Sequence, residues 1–178
     1  MPDKFRNKYR IPSARLSSWD YSNNGAYFIT INTANRKHYF GCVNDARVEL
    51  SQIGEFANEC WLNIPHHFPH FTLDEFVIMP NHVHGIVLIE KPYIEINPHF
   101  KFMEVNGESK HPRFRNQGRN TVSAMVGSFK SAVTKKCNEN SLKFGWQARF
   151  HDHIIRNLEE FHRIRKYILM NPRRWKDI

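Results

Sequence analysis

Cysteine is scarce and scattered in this 178-residue chain. Cys42, Cys60 and Cys137 are odd in number and far apart, which matches neither a disulfide framework nor a Cys-x-x-Cys metal site. No apolar run approaches the roughly 20 residues that cross a bilayer, and Met1-Pro2-Asp3-Lys4-Phe5-Arg6 lacks a signal-peptide core. A soluble, cytoplasmic protein with no membrane partner is therefore expected. Acidic residues are the third deficit: 17 Asp and Glu stand against 26 Lys and Arg, a formal net charge of +9. Such an excess attracts a polyanion, and nucleic acid is the commonest one in a cell. Hydrophobic residues nevertheless make up 40% of the chain and aromatics 13%, enough for a folded core, and the length suits one domain spanning residues 1–178.

Residues 1–20 are basic and turn-rich, with Lys8, Arg10 and Arg15 around Pro12, and read as an arm before a first strand from Ala26 to Thr33. Asn44 or Asp45 is placed to cap a helix whose apolar positions, Ala46, Leu50, Ile53, Ala57, Cys60, Trp61 and Ile64, keep the 3.6-residue period until Pro65. Phe71 to Met79 and His82 to Ile89 read as two strands joined by a tight turn at Pro80-Asn81. Residues 90–120 turn to Pro, Gly, Asn and basic residues, including Lys110, Arg113, Arg115 and Arg119. A connection this long is expected to be a mobile or ligand-binding loop, with a small hairpin near Tyr93 to Val105. Thr121 can cap a second helix with Val122, Met125, Val126, Phe129, Ala132 and Val133 as its stripe, leaving Lys130, Lys135 and Lys136 mostly off it. Arg149 to Arg156 reads as a short strand, and a last helix runs from Leu158 to Asn171. Strand, helix, two strands, helix, strand, helix predicts an α+β domain of split βαβ type. Its sheet is mainly antiparallel, with helices on one face and a C-terminal helix that carries a tyrosine.

His82 and His84 are separated by one aliphatic residue on the second of the paired strands. Side chains alternate along a strand, so both imidazoles point one way with Cα atoms about 6.8 Å apart, while Val83 points into the opposite layer. Two imidazoles on one rigid face suit a divalent cation. A second pair, His151 and His153, brackets Asp152, which suits an apolar layer poorly. On the last helix Leu158, Phe161, Ile164 and Ile168 make the buried stripe, and Tyr167 and Asn171 sit one turn apart on its flank. A phenol and a carboxamide there can approach one object from one side. Pro172 stops the helix, and Arg173 and Arg174 add positive charge.

Met79-Pro80-Asn81-His82-Val83-His84, taken with Tyr167-Ile168-Leu169-Met170-Asn171-Pro172, resembles the single-tyrosine HUH (IS200-like) transposase family. Trp19-Asp20-Tyr21, Gly25 to Ile31, Arg36, Phe40-Gly41, Phe129-Lys130-Ser131 and Trp146 to Arg156 are similar to its REP-associated branch, and the likeness covers nearly the whole chain except residues 90–120. The resemblance implies a ferredoxin-like core and a single-strand DNA endonuclease and strand transferase acting at hairpins of repetitive palindromes. It implies Tyr167 as nucleophile, forming a 5′-phosphotyrosine link, and His82, His84 and Asn171 as ligands of Mg²⁺ or Mn²⁺. Single-stranded or hairpin DNA is the expected partner, gripped by Arg10, Arg15, Arg113, Arg115, Arg119, Lys130, Arg149, Arg173 and Arg174, with Phe114 or Trp175 as stacking surfaces. A monomer and a homodimer that exchanges tyrosine helices are both compatible with the chain. Two other readings stand beside this one: a non-catalytic nucleic-acid-binding module, and a metallohydrolase recruiting His66, His67 and His70.

Overall fold

A computed structural model describes residues 4–5, 8–9, 21–91, 118 and 120–176. Arg10, Arg15, Arg113, Arg115, Arg119, Phe114 and the hairpin expected near 93–105 lie outside them. The chain begins with two short antiparallel strands, β1 (Lys4–Phe5) and β2 (Lys8–Tyr9). The first core strand is β3 (Gly25–Asn32), whose period-2 alternation buries Tyr27, Ile29 and Ile31 completely on one side. A 3-10 turn, Ala34–Arg36, leads to the hairpin β4 (Gly41–Asn44) and β5 (Arg47–Leu50).

That hairpin corrects the sequence reading, which had a helix start at Asn44 or Asp45. Asp45 and Ala46 both take positive φ, 46° and 61°, the backbone that a two-residue hairpin turn demands. Leu50 fits the helical stripe because it packs on the same core from the end of a strand. The helix, α1 (Gln52–Leu62), begins only after Ser51, whose side chain accepts from Gly54 N at 3.1 Å. Pro65 falls in the first turn of a short second helix, α2 (Ile64–His67), where its missing N–H costs nothing.

Strands β6 (Phe71–Met79) and β7 (His82–Ile89) form the expected hairpin, with Met79 opposite His82. Thr121 caps α3 (Val122–Glu139) by accepting from Ala124 N at 3.2 Å. The last strand is β8 (His151–Ile155), followed by α4 (Leu158–Leu169) and α5 (Asn171–Arg174). The main sheet runs β6-β7-β3-β8 with every neighbour antiparallel. β3-α1-β6 and β7-α3-β8 are thus two interleaved split βαβ units, the ferredoxin-like arrangement.

One face of the sheet carries the larger core, in which Trp61 of α1 and Phe129 of α3 pack edge to face at 5.2 Å over Tyr27, Ile29, Val83 and Val87. Gly85 lets this layer close: an added Cβ there would collide with Trp61 Cζ2. A smaller cluster lies on the other face, where Ile164 and Ile168 of α4 cover Ile86 and Ile155. α4 is held at its start by His153 Nε2, 2.9 Å from Glu160 Oε1, and further along by the Arg165–Asp74 ion pair at 3.0 Å. Its last turn reaches the end of the sheet that bears His82 and His84.

The final helix also departs from expectation. It stops at Met170, and Asn171 opens α5 with Pro172 in its first turn. A proline after an apolar stripe reads equally well as a stop or as the first turn of a new helix.

Candidate active site

His82 and His84 project from β7 on the face away from α1 and α3, with ring centroids 4.4 Å apart, while Val83 between them is fully buried in the larger core. Their hydrogen bonds set which nitrogen is free. His82 Nδ1 lies 2.7 Å from Asn81 Oδ1, an acceptor, so the ring proton sits on Nδ1 and Nε2 offers a lone pair. His84 Nδ1 lies 2.8 Å from Thr30 Oγ1, and the Ile29 carbonyl also favours a proton on that ring. Nε2 is again the nitrogen left to turn into the site, where it meets the Tyr167 hydroxyl. Fixing the tautomer through the far nitrogen is how metal-binding imidazoles are oriented.

Both rings are held in the neutral form that a metal ligand requires. Burial pushes His82 down to about 4, helped by the positive charge of Arg36, although the Asn171 side chain works the other way. Burial likewise pushes His84 down to about 3, with the neighbouring His82 adding to the effect. His82 Nε2 is enclosed and makes no hydrogen bond of ordinary geometry, so a buried polar atom is left facing Asn171. Asn171 itself is 9% exposed.

Tyr167 reaches this pair from α4. Its Oη lies 3.3 Å from His84 Nε2, its ring meets Phe28 edge-on at 6.2 Å, and the residue is 40% exposed. The helix of this chain therefore delivers its tyrosine to the histidines of the same chain. Trp175, after α5, lies over His82 at 6.0 Å and 35°, with His38 at 5.4 Å on its edge. Phenol, imidazole pair, carboxamide and indole thus meet at one end of the sheet.

A divalent cation fits this donor set. Two neutral imidazoles present free lone pairs, one of them an orphaned buried nitrogen, and a carboxamide oxygen can complete three protein ligands. Among the described residues no group of three or more His, Cys, Asp or Glu could hold a metal, so the remaining coordination positions would fall to substrate or water. The same finding gives no support to His66, His67 and His70 as the extra ligands of a metallohydrolase.

The other candidate residues are dispersed. Lys130 Nζ donates to Gln147 O at 2.6 Å and sits 5.7 Å from the Trp146 ring, and burial lowers its pKa. It pins the segment before β8. Lys136 pairs with Glu59 at 2.9 Å and Lys135 with Glu139 at 3.8 Å. Arg149, Arg173 and Arg174 are exposed, the last two on α5 beside Asn171. His153 is engaged by Glu160. Sequence reasoning passed over Thr30, Phe28, His38 and the side chain of Asn81. The signal for Thr30 and Phe28 was present, since the alternation that buries Tyr27, Ile29 and Ile31 turns Phe28 and Thr30 to the histidine face.

The fold is that of a REP-associated tyrosine transposase. A solved structure of such a transposase bound to a REP hairpin superposes with a TM-score of 0.58 at 21% identity, covering 91% of this chain and 73% of that one. A second solved chain, from Deinococcus radiodurans, overlaps at a TM-score of 0.46 and 10% identity over 89% of this chain and 96% of its own, too loosely to carry an argument. No family model matches the sequence. The chain belongs to one family with an uncharacterized protein of Haemophilus influenzae, to which it is 36% identical over 166 residues, 92% of this chain and 89% of that protein.

Proposed function

We propose that the chain is a tyrosine transposase of the REP-associated kind, a metal-dependent nuclease and strand transferase for single-stranded DNA beside a hairpin. The observation that carries this reading is the 3.3 Å approach of Tyr167 Oη to His84 Nε2 across 83 residues of sequence, in a fold shared with such a transposase. His82, His84 and Asn171 would hold Mg²⁺ or Mn²⁺, which when bound supplies Lewis-acid polarisation of a phosphodiester oxygen. The residues of the chain do the rest. Tyr167 gives up its phenolic proton and attacks phosphorus in line, its oxygen forms the new P–O bond, and the bond to the 3′ oxygen breaks as that oxygen takes up a proton. The product is a 5′-phosphotyrosine link whose energy matches the bond it replaced, so another 3′ hydroxyl can reverse it without ATP. Phe28, edge-on to the phenol, limits where that ring can swing.

Incubation of a labelled hairpin oligonucleotide with the protein and Mn²⁺ is expected to give an SDS-resistant adduct. Tyr167→Phe is expected to abolish the adduct and leave hairpin binding within about twofold. An adduct that persists on that variant assigns the nucleophile elsewhere. Hairpin binding with no divalent-dependent cleavage by the wild type supports the non-catalytic binding module instead.

A further inference from the structure

We infer that Arg36 is a phosphate-binding residue of this site, its guanidinium holding a non-bridging oxygen of the single-stranded DNA backbone beside the two histidines. The inference rests on the transposase reading and names one contact within it.

The path of the chain places Arg36 there. β3 ends at Asn32, directly opposite His82. The next residue, Thr33, is fully buried; its N donates to Asn81 O at 3.0 Å, and its hydroxyl lies 3.0 Å from the same oxygen and 2.7 Å from Lys37 O. Ala34 N adds a bond to Gly145 O at 2.8 Å. The turn that carries Arg36 is therefore stitched to the turn that carries His82.

Its backbone is unusual. Asn35 and Arg36 take consecutive φ values of 53° and 52°. Asparagine tolerates the left-handed region, but an arginine gains nothing there and suffers a clash of its Cβ. Such strain persists where the surrounding bonds over-determine the backbone, and it gathers at sites that clamp ligands.

The charge is the third observation. The guanidinium is exposed and, among the described residues, has no ion pair and no side-chain hydrogen bond, and it sits on a turn whose Thr33 is bonded to Asn81, the neighbour of His82. An unpaired cation on a turn tied to the histidine hairpin is placed to take an anion that reaches the site. A phosphodiester is that anion, and the planar donor fork of arginine matches its oxygens.

The test uses the full chain in EDTA, where no cleavage occurs, and a labelled hairpin oligonucleotide with a single-stranded flank. Methylphosphonate, which removes one backbone charge, is placed at each flank linkage in turn. Arg36→Asn removes the cation and suits the left-handed backbone, so its melting temperature should equal or exceed that of the wild type. It is expected to weaken binding about tenfold and to lower the slope of log affinity against log salt by about 0.7. It should also erase the sensitivity of the wild type to methylphosphonate at one linkage only, and Arg36→Lys should recover part of the slope. An Arg36→Asn variant with the wild-type slope and methylphosphonate profile overturns the inference. The two readings fail separately. A Tyr167 adduct alongside an unchanged slope removes only Arg36, whereas a lost slope in a protein that forms no adduct in Mn²⁺ keeps the phosphate contact and removes the transposase chemistry.

Discussion

Thr30 shows how much of the site depends on a residue that never faces the reacting atoms. Its hydroxyl, 2.8 Å from His84 Nδ1, fixes the ring so that Nε2 points at Tyr167. Thr30→Val keeps the shape and deletes the acceptor. The variant is expected to fold normally and to bind Mn²⁺ about tenfold more weakly by calorimetry, the usual effect of losing a partner behind a ligating histidine; unchanged affinity would mean that the ring is held by packing alone. At this scale the sequence was informative about the histidines themselves. The geometry of a strand dictates that His82 and His84 share a face whatever surrounds them. Thr30 was not foreseen, because its partner lies 54 residues away and only strand register brings the two together. Arg36 stood out by resemblance, but its left-handed backbone follows from bonds to Asn81 and Gly145 that no local pattern encodes.

Among elements, the contact between β7 and α1 lies directly behind the site. Gly85 adjoins His84, and Trp61 occupies the space where a side chain would stand. Gly85→Ala is expected to lower stability by about 2 kcal/mol through overpacking, read as a fall of about 4–8 °C in melting temperature. An unshifted melt would show that the indole can swing aside. The sequence made most elements legible, down to the Thr121 cap and the Pro80-Asn81 turn, because caps, turns and alternation are local. It misled at two boundaries for one shared reason. Leu50 belongs to the core without belonging to a helix, and Asn171 stays one turn beyond Tyr167 in sequence while opening a separate helix after Met170. In both places tertiary packing accepts a residue that the helical period also accepts.

At the scale of the molecule, the two buried imidazoles link stability to pH. An unfolded histidine takes up a proton near pH 6.5, whereas burial holds His82 near about 4 and His84 near about 3 in the fold. Above pH 6.5 both states are neutral at these positions. As pH falls from 6.5 towards 4, the unfolded chain binds protons that the folded chain refuses, and stability declines. Urea unfolding of the metal-free protein is expected to show a loss on the order of 5 kcal/mol between pH 7.5 and pH 4.5, about half from each ring. A flat profile would mean that the two rings are far more hydrated than their burial implies. The order of elements was enough to anticipate the interleaved βαβ units, since the two split crossovers determine the strand order. The placement of Tyr167 Oη against His84 was expected from resemblance and not from periodicity, because a flanking tyrosine on an amphipathic helix is more often ordinary packing.

The register shift in β6 between Leu73 and Phe76 bears on how copies of the protein behave when crowded. β6 closes one side of the main sheet among the described residues, and a straight outer strand with free amides invites foreign strands to add to it. Asp74 and Glu75 occupy the irregular stretch, which breaks the rhythm of donors and acceptors along that edge, while their carboxylates face Arg165 of α4. A strand arriving at that edge would meet an interrupted ladder and could pair over only part of its length.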